Sequence, residues 1–237
     1  MGYTQRVEEI FGLRSDAVSV AGNRQDLNNK LGLTLPDAAL GALFGGIRGS
    51  HLEIAQGGKN VDIWTSHDWF ETPLYFSIER DAVGVILTIN DFFLKETAPK
   101  TLGTRIVAGM IFQAVKIPSM ISIQTSATRF YAPRDEGMIR ELQGYYFFPR
   151  LGFNADPKDA DDYIEIPPDL KGKKLLYIMR DPDLRQWWKE NGQTIDVNFK
   201  LRGKKNLRAL LAYLFEKGIE IPDPTENAYL PANHPDE

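Results

Sequence analysis

From His51 onward, apolar and polar positions alternate with a period of two. Leu52 and Ile54 come first, then Val61 and Ile63, with Gly57-Gly58 between them. Side chains of a strand point to opposite faces in turn, and a Gly-Gly break between alternating segments marks a hairpin. The pattern therefore predicts two antiparallel strands joined across 56–60. Segments 72–78 and 83–93 form a second pair, joined at Glu79-Arg80-Asp81, so about four antiparallel strands are expected in succession. At Thr97-Ala98-Pro99-Lys100 the period changes. Leu102, Ile106, Val107, Met110, Ile111, Ala114 and Val115 recur at three and four, one face of a helix that Pro118 closes. Ile121 and Ile123 begin a further strand, a loop is expected over 128–137, and a helix over 138–146.

The flanks are plainer. Residues 1–50 read as helix and loop, with a short helix started by the Thr34 hydroxyl and Pro36 and stopped at Gly45-Gly46. The stretch 154–168 is acidic and proline-containing, the best candidate for a boundary. Beyond it come a helix through Trp187-Trp188 with one ring in the core and one partly exposed, a strand over 195–201, and an amphipathic helix over 207–216 closed by Gly218. No internal repeat is visible. The expected organisation is a helical lead-in over 1–50, a core over 51–155, an extension over 156–220 and a loose tail over 221–237.

Composition narrows the chemistry. With 237 residues, 43% apolar and 25% charged, the chain has the makeup of a globular protein of one domain, or one with an extension. A net charge of −4 argues against a general polyanion binder. The absence of cysteine excludes disulfides, thiolate metal sites and a cysteine nucleophile. The first residues carry Arg6, Glu8 and Glu9 where an export signal would be apolar, and no apolar run is long enough to span a bilayer. The expected location is the cytoplasm, with no membrane partner.

Several residue groups could carry chemistry. His51 and His67, with Asp62 or Asp68, have no spacing that demands a metal, so none is expected. No Gly-x-Ser-x-Gly elbow is present. Lys200, Arg202, Lys204, Lys205 and Arg208 form the densest basic cluster, which reads as a solvated turn before a helix rather than a nucleic-acid contact. The segment from Asn90-Asp91-Phe92-Phe93-Leu94 through 100–104 into the helix is a strand–loop–helix unit. Such a unit aims backbone N–H groups and a positive helix end at one spot suited to a phosphate, and Gly103 allows close approach.

The order of these elements, with Gly144-Tyr145-Tyr146-Phe147-Phe148-Pro149-Arg150-Leu151-Gly152-Phe153 closing the core, resembles the GNAT superfamily of acyl-CoA-dependent N-acyltransferases. It looks closest to a GNAT-like group that ends this region with a Gly-Tyr-Tyr-x-x-Pro-Arg-Leu-Gly-Phe segment and carries a later Trp-Trp-Lys-Glu-Asn-Gly-like stretch, here 187–192. The resemblance implies an α/β (α+β) fold: a mixed, mostly antiparallel sheet flanked by helices, with a C-terminal α+β extension packed on it. It also implies acetyl-CoA or another acyl-CoA as co-substrate, with the pantetheine arm along Phe93 and Leu94 and the pyrophosphate at Lys100, Thr101, Leu102, Gly103 and Thr104. The acceptor would be a small-molecule or peptide amine. Amine acylation needs a base and an acid for the leaving thiolate. Asp91, the only carboxylate of its strand, is the candidate base, and Tyr146 the candidate acid.

The departures from the family pattern are specific. Ala98 stands where the loop has Arg or Gln, Thr101 where it has its first glycine, and Phe148 where the acid tyrosine often falls. They keep open the alternative of a catalytically inactive GNAT-like interaction module. Asp91 beside Asn90 also suits a strand end, and the aromatic run at 145–148 suits a core.

Overall fold

The computed structural model describes residues 18–133, 139–162 and 164–219, so the first part of the lead-in and the tail at 221–237 lie outside the described residues. Nine strands are described: β1 (Val18–Gly22), β2 (Ser50–Gly57), β3 (Asn60–Ser66), β4 (Leu74–Arg80), β5 (Val85–Asp91), β6 (Met120–Ala127), β7 (Arg129–Pro133), β8 (Ile139–Gln143) and β9 (Ile195–Lys200). The α-helices are α1 (Arg24–Leu31), α2 (Asp37–Leu43), α3 (Leu102–Val115), α4 (Gly144–Arg150), α5 (Leu175–Ile178), α6 (Pro182–Asn191) and α7 (Lys204–Glu216). Seven strands make one sheet in the order β1-β2-β3-β4-β5-β6-β9, and β7 pairs with β8 apart from it. β2 to β5 run antiparallel in succession, whereas β1 lies parallel to β2 and β5 parallel to β6.

The period-two pattern dictates which face is buried. Leu52, Ile54, Val61, Ile63, Leu74, Phe76, Ile78, Leu87, Ile89, Ile123 and Phe199 point to one side and lose their contact with water. α2 and α3 pack on each other over that side, where Gly45 lies between Ile106 and Phe76, and α7 comes close to Phe199 at Gly152. The other side is polar, with exposed His51 and Glu53 and cross-strand hydrogen bonds such as Gln124 Nε2 to Thr88 Oγ1 at 3.0 Å and Asn90 Nδ2 to Ser77 Oγ at 3.1 Å.

The structure corrects the sequence reading at four places. The lead-in contains a strand, β1, which joins the main sheet. The short helix starts at Asp37 with Pro36 as its cap, and the Thr34 hydroxyl makes no cap. The stretch expected as a loop and then a helix over 138–146 is instead the β7–β8 hairpin, and the helix begins only at Gly144. The expected extension also contributes to the sheet, since β9 pairs with β6 from Ser122↔Lys200 to Ala127↔Ile195. No helix among the described residues is long and apolar enough to cross a membrane.

Candidate functional site

The parallel pair β5/β6 runs from Val85↔Met120 to Ile89↔Thr125 with one register shift between Val85 and Ile86, and the ladder stops there although β5 continues to Asp91 and β6 to Ala127. Each strand leaves with a different partner. Past Asp91 the chain pairs with 69–71, where the Glu71 N–H donates to the Phe93 carbonyl at 3.0 Å and the Lys95 N–H to the Trp69 carbonyl at 2.9 Å. β6 stays with β9 through Ser126↔Asp196 and Ala127↔Ile195. At the fork the Thr125 hydroxyl donates to the Ile89 carbonyl at 2.9 Å, which satisfies a group the diverging ladder would otherwise leave buried and unpaired.

Between the prongs lies a cavity of about 610 Å³, inside the range of roughly 300–1,000 Å³ typical of small-molecule sites. Asn90 to Lys95 form one wall and Thr125, Ser126 and Thr128 another; the start of α3 closes one end, and Tyr146, Phe147, Phe148 and Arg150 of α4 close the side. Tyr213 of α7 completes the lining. Of the sequence-derived candidates, Asp91, Phe93, Leu94, Thr101, Leu102, Gly103, Thr104 and Tyr146 all border this space. Lys100 does not: it is exposed on the turn, outside the lining.

Backbone geometry sets what each can offer. The Phe93 carbonyl is taken by Glu71, so strand alternation turns the Leu94 peptide groups away from 69–71. At the start of α3 the Leu102 N–H, expected to face the anion, instead donates to the Pro99 carbonyl at 3.0 Å, and Arg105 donates to Thr101. Among the described residues the Gly103 and Thr104 N–H groups have no protein acceptor, so two donors and the positive end of a 14-residue helix face the cavity.

Thr101, which precedes that helix, has φ +70°, the only positive φ at a non-glycine among the described residues. A strained conformation of this kind costs about 1–3 kcal/mol, and glycine would give back only about 0.5–1 kcal/mol in chain entropy. Thr101→Gly is therefore expected to raise stability by about 1 kcal/mol, seen as a higher urea midpoint with an unchanged slope. A lowered midpoint would mean that Thr101 makes interactions outweighing its strain.

Asp91 is exposed and stands opposite Tyr75 in the β4/β5 register. The Tyr75 hydroxyl donates to Asp62 Oδ1 at 3.1 Å, and its ring stacks on Trp64 at 5.2 Å. Burial first, and then the neighbouring carboxylates Asp62 and Asp91, hold the Tyr75 phenol above its ordinary pKa. Tyr146 is half-buried at the cavity wall, with Lys189 Nζ 5.9 Å from its ring centre. Tyr145 serves packing instead. Its hydroxyl donates to the Lys189 carbonyl at 2.6 Å and its own carbonyl accepts the Trp188 Nε1–H at 2.9 Å, tying α4 to α6. Phe148 is buried in edge-to-face contact with Phe92, Phe147 and Phe153.

Two lining residues are ones that sequence pattern alone does not single out. Arg150, only 8% exposed, donates to Glu216 Oε1 at 2.7 Å and lies 4.7 Å over the Tyr213 ring. The Tyr213 hydroxyl is hydrogen-bonded to Thr104, and burial is the main cause that holds this phenol above its ordinary pKa. The Arg150 hydrogen bond holds the Glu216 carboxyl below its ordinary value. Arg150 is visible in the sequence as part of the Pro-Arg-Leu-Gly-Phe segment, and Tyr213 sits on a helix whose Leu210 and Leu214 mark the buried side.

Elsewhere, His51 Nδ1 shares a hydrogen bond with Ser19 Oγ at 2.8 Å and His67 Nδ1 accepts from the Trp69 N–H at 3.1 Å; burial lowers the pKa of His67. No metal-binding group of side chains occurs among the described residues. In the basic cluster, Arg202 donates to the Ile117 and Pro118 carbonyls at 3.2 and 3.1 Å just past the end of α3. Comparison of the chain with family models, curated proteins and solved structures finds no match in any of the three.

Proposed function

We propose that this protein is an acyl-CoA-dependent N-acyltransferase of GNAT-like type, taking acetyl-CoA or another acyl-CoA and a small-molecule or peptide amine. The observation that carries the reading is the forked parallel pair β5/β6, whose opening runs from Asp91 to the unpaired N–H groups at the start of α3. A thioester arm is long and narrow with a diphosphate at one end, and the fork joins an apolar slot to an anion-seeking helix terminus. A second support is Thr101. Where the family loop has its first glycine, this chain keeps a left-handed backbone in spite of a β-branched residue.

In the proposed reaction the ammonium form of the amine loses a proton to the Asp91 carboxylate, directly or through one water, and Asp91 passes it on to solvent. The neutral nitrogen then attacks the thioester carbonyl, the acylated nitrogen releases its second proton to solvent, the C–S bond breaks, and Tyr146 gives a proton to the leaving thiolate. The resulting phenolate is reprotonated from solvent. The burial of Phe148 in an aromatic cluster favours a second reading, a GNAT-like module that binds CoA without turnover, because that ring has no proton to give.

Thiol release from acetyl-CoA across a panel of primary amines separates the two. The proposal expects amine-dependent release that falls by about a hundredfold or more in Asp91→Asn, general base catalysis being worth about 10²–10⁴-fold. CoA binding without release on any amine would favour the inactive module, and equal rates for the wild type and Asp91→Asn would remove Asp91 as base.

A further inference from the structure

We infer that Arg150 supplies the cationic half of a diphosphate subsite whose other half is the first turn of α3, replacing from α4 the charge that the loop lacks at Ala98. This rests on the acyl-CoA reading and adds to it a residue outside the loop. Arg150 is more than nine-tenths buried and borders the same cavity as Ala98, Gly103 and Thr104. A guanidinium has five N–H donors, and among the described residues only one terminal nitrogen of Arg150 has a protein hydrogen-bond acceptor, Glu216. Glu216 itself is half exposed, with 47% of its side chain open to water against 7% for Arg150. The pair is lopsided: the anion is wet, while the cation is mostly buried, and its remaining donors are not sealed off but open toward the cavity. A diphosphate brings oxygens that accept from a guanidinium two at a time.

The geometry also aims the group. The Tyr213 ring lies under the guanidinium carbon at 4.7 Å, while the Tyr213 hydroxyl bonds to Thr104 in the first turn of α3. One aromatic ring thus touches both Arg150 and Thr104, the latter in the turn whose Gly103 and Thr104 N–H groups have no acceptor among the described residues. Of the two loop lysines, Lys100 is exposed and outside the lining, and Lys95 borders the cavity from an exposed position.

Calorimetric titrations of the full chain at constant ionic strength with CoA, ADP, inorganic pyrophosphate and pantetheine test this. Arg150→Gln is expected to weaken CoA, ADP and pyrophosphate by about tenfold to a hundredfold, the scale of a lost charge-assisted bidentate contact, and pantetheine by less than about twofold. Glu216→Gln leaves Arg150 in place without its competing carboxylate, so ADP affinity should be retained or raised. This variant reports even if Arg150→Gln does not fold. Equal weakening of pantetheine and CoA by Arg150→Gln, unchanged ADP affinity in that variant, or ADP weakened tenfold by Glu216→Gln would each overturn the inference. Arg150-dependent binding of ADP and pyrophosphate with no gain on going from ADP to CoA would uphold the subsite and remove the acyl-CoA reading. No binding of any diphosphate to the wild type would remove both.

Discussion

Gly103→Phe is expected to abolish CoA binding while leaving the fold standing. A Cβ at Gly103 would meet Leu94 Cδ1 at 3.3 Å, Phe92 Cε1 at 3.5 Å and Phe147 Cζ at 3.6 Å, so a methyl fits once the end of the Leu94 side chain gives slightly. The remaining atoms of a phenylalanine have nowhere to go but the cavity beside the three aromatic and aliphatic neighbours, where the proposed thioester arm must pass. The substitution falls in the first turn of α3, where Gly103 has no left-handed φ to preserve. Stability should therefore hold or rise as a void is filled. CoA at concentrations that saturate the wild type should bring no thermal shift, and Gly103→Ala should bind within a few-fold of the wild type. Normal CoA affinity in Gly103→Phe would mean that the cleft is not the donor site.

Trp188→Ala is expected to carry the largest stability cost. The indole is fully buried, and its Nε1–H is the donor to the Tyr145 carbonyl. Removing a large core aromatic costs about 3–5 kcal/mol, and the unsatisfied carbonyl adds to that. The loss falls where α6 holds the start of α4, so the cavity wall that carries Tyr146 and Arg150 should loosen together with the global fold. Urea unfolding should show a midpoint lower by the corresponding amount. A change under about 1 kcal/mol would mean that α6 is not part of the cooperative core.

The sequence was most legible where pattern and punctuation agreed. The four strands β2 to β5 show as alternation interrupted by Gly57-Gly58 and Asp81, and α3 as a three–four repeat following Pro99. The strand β1 escaped because its alternation is only Val18-Ser19-Val20, too short to stand out, and neither valine is fully buried. The β7–β8 hairpin escaped because Phe130, Tyr131, Met138 and Ile139 could equally be read with a helical period. The fork itself has no local signature. It arises because 93–95 pairs with 69–71 while β6 follows β9, contacts made across distances in sequence that no period reveals. Strand and loop candidates such as Asp91, Leu94 and Gly103 reach one cavity because they are neighbours along the chain. Arg150 and Tyr213 reach it from separate helices, and only their packing brings them there.

Thermal unfolding of the wild-type chain against CoA concentration tests the acyl-CoA reading most directly. CoA at 100 times its dissociation constant should add about 2.7 kcal/mol of stability and raise the melting temperature in a concentration-dependent way. An unchanged melting temperature up to millimolar CoA would contradict the account.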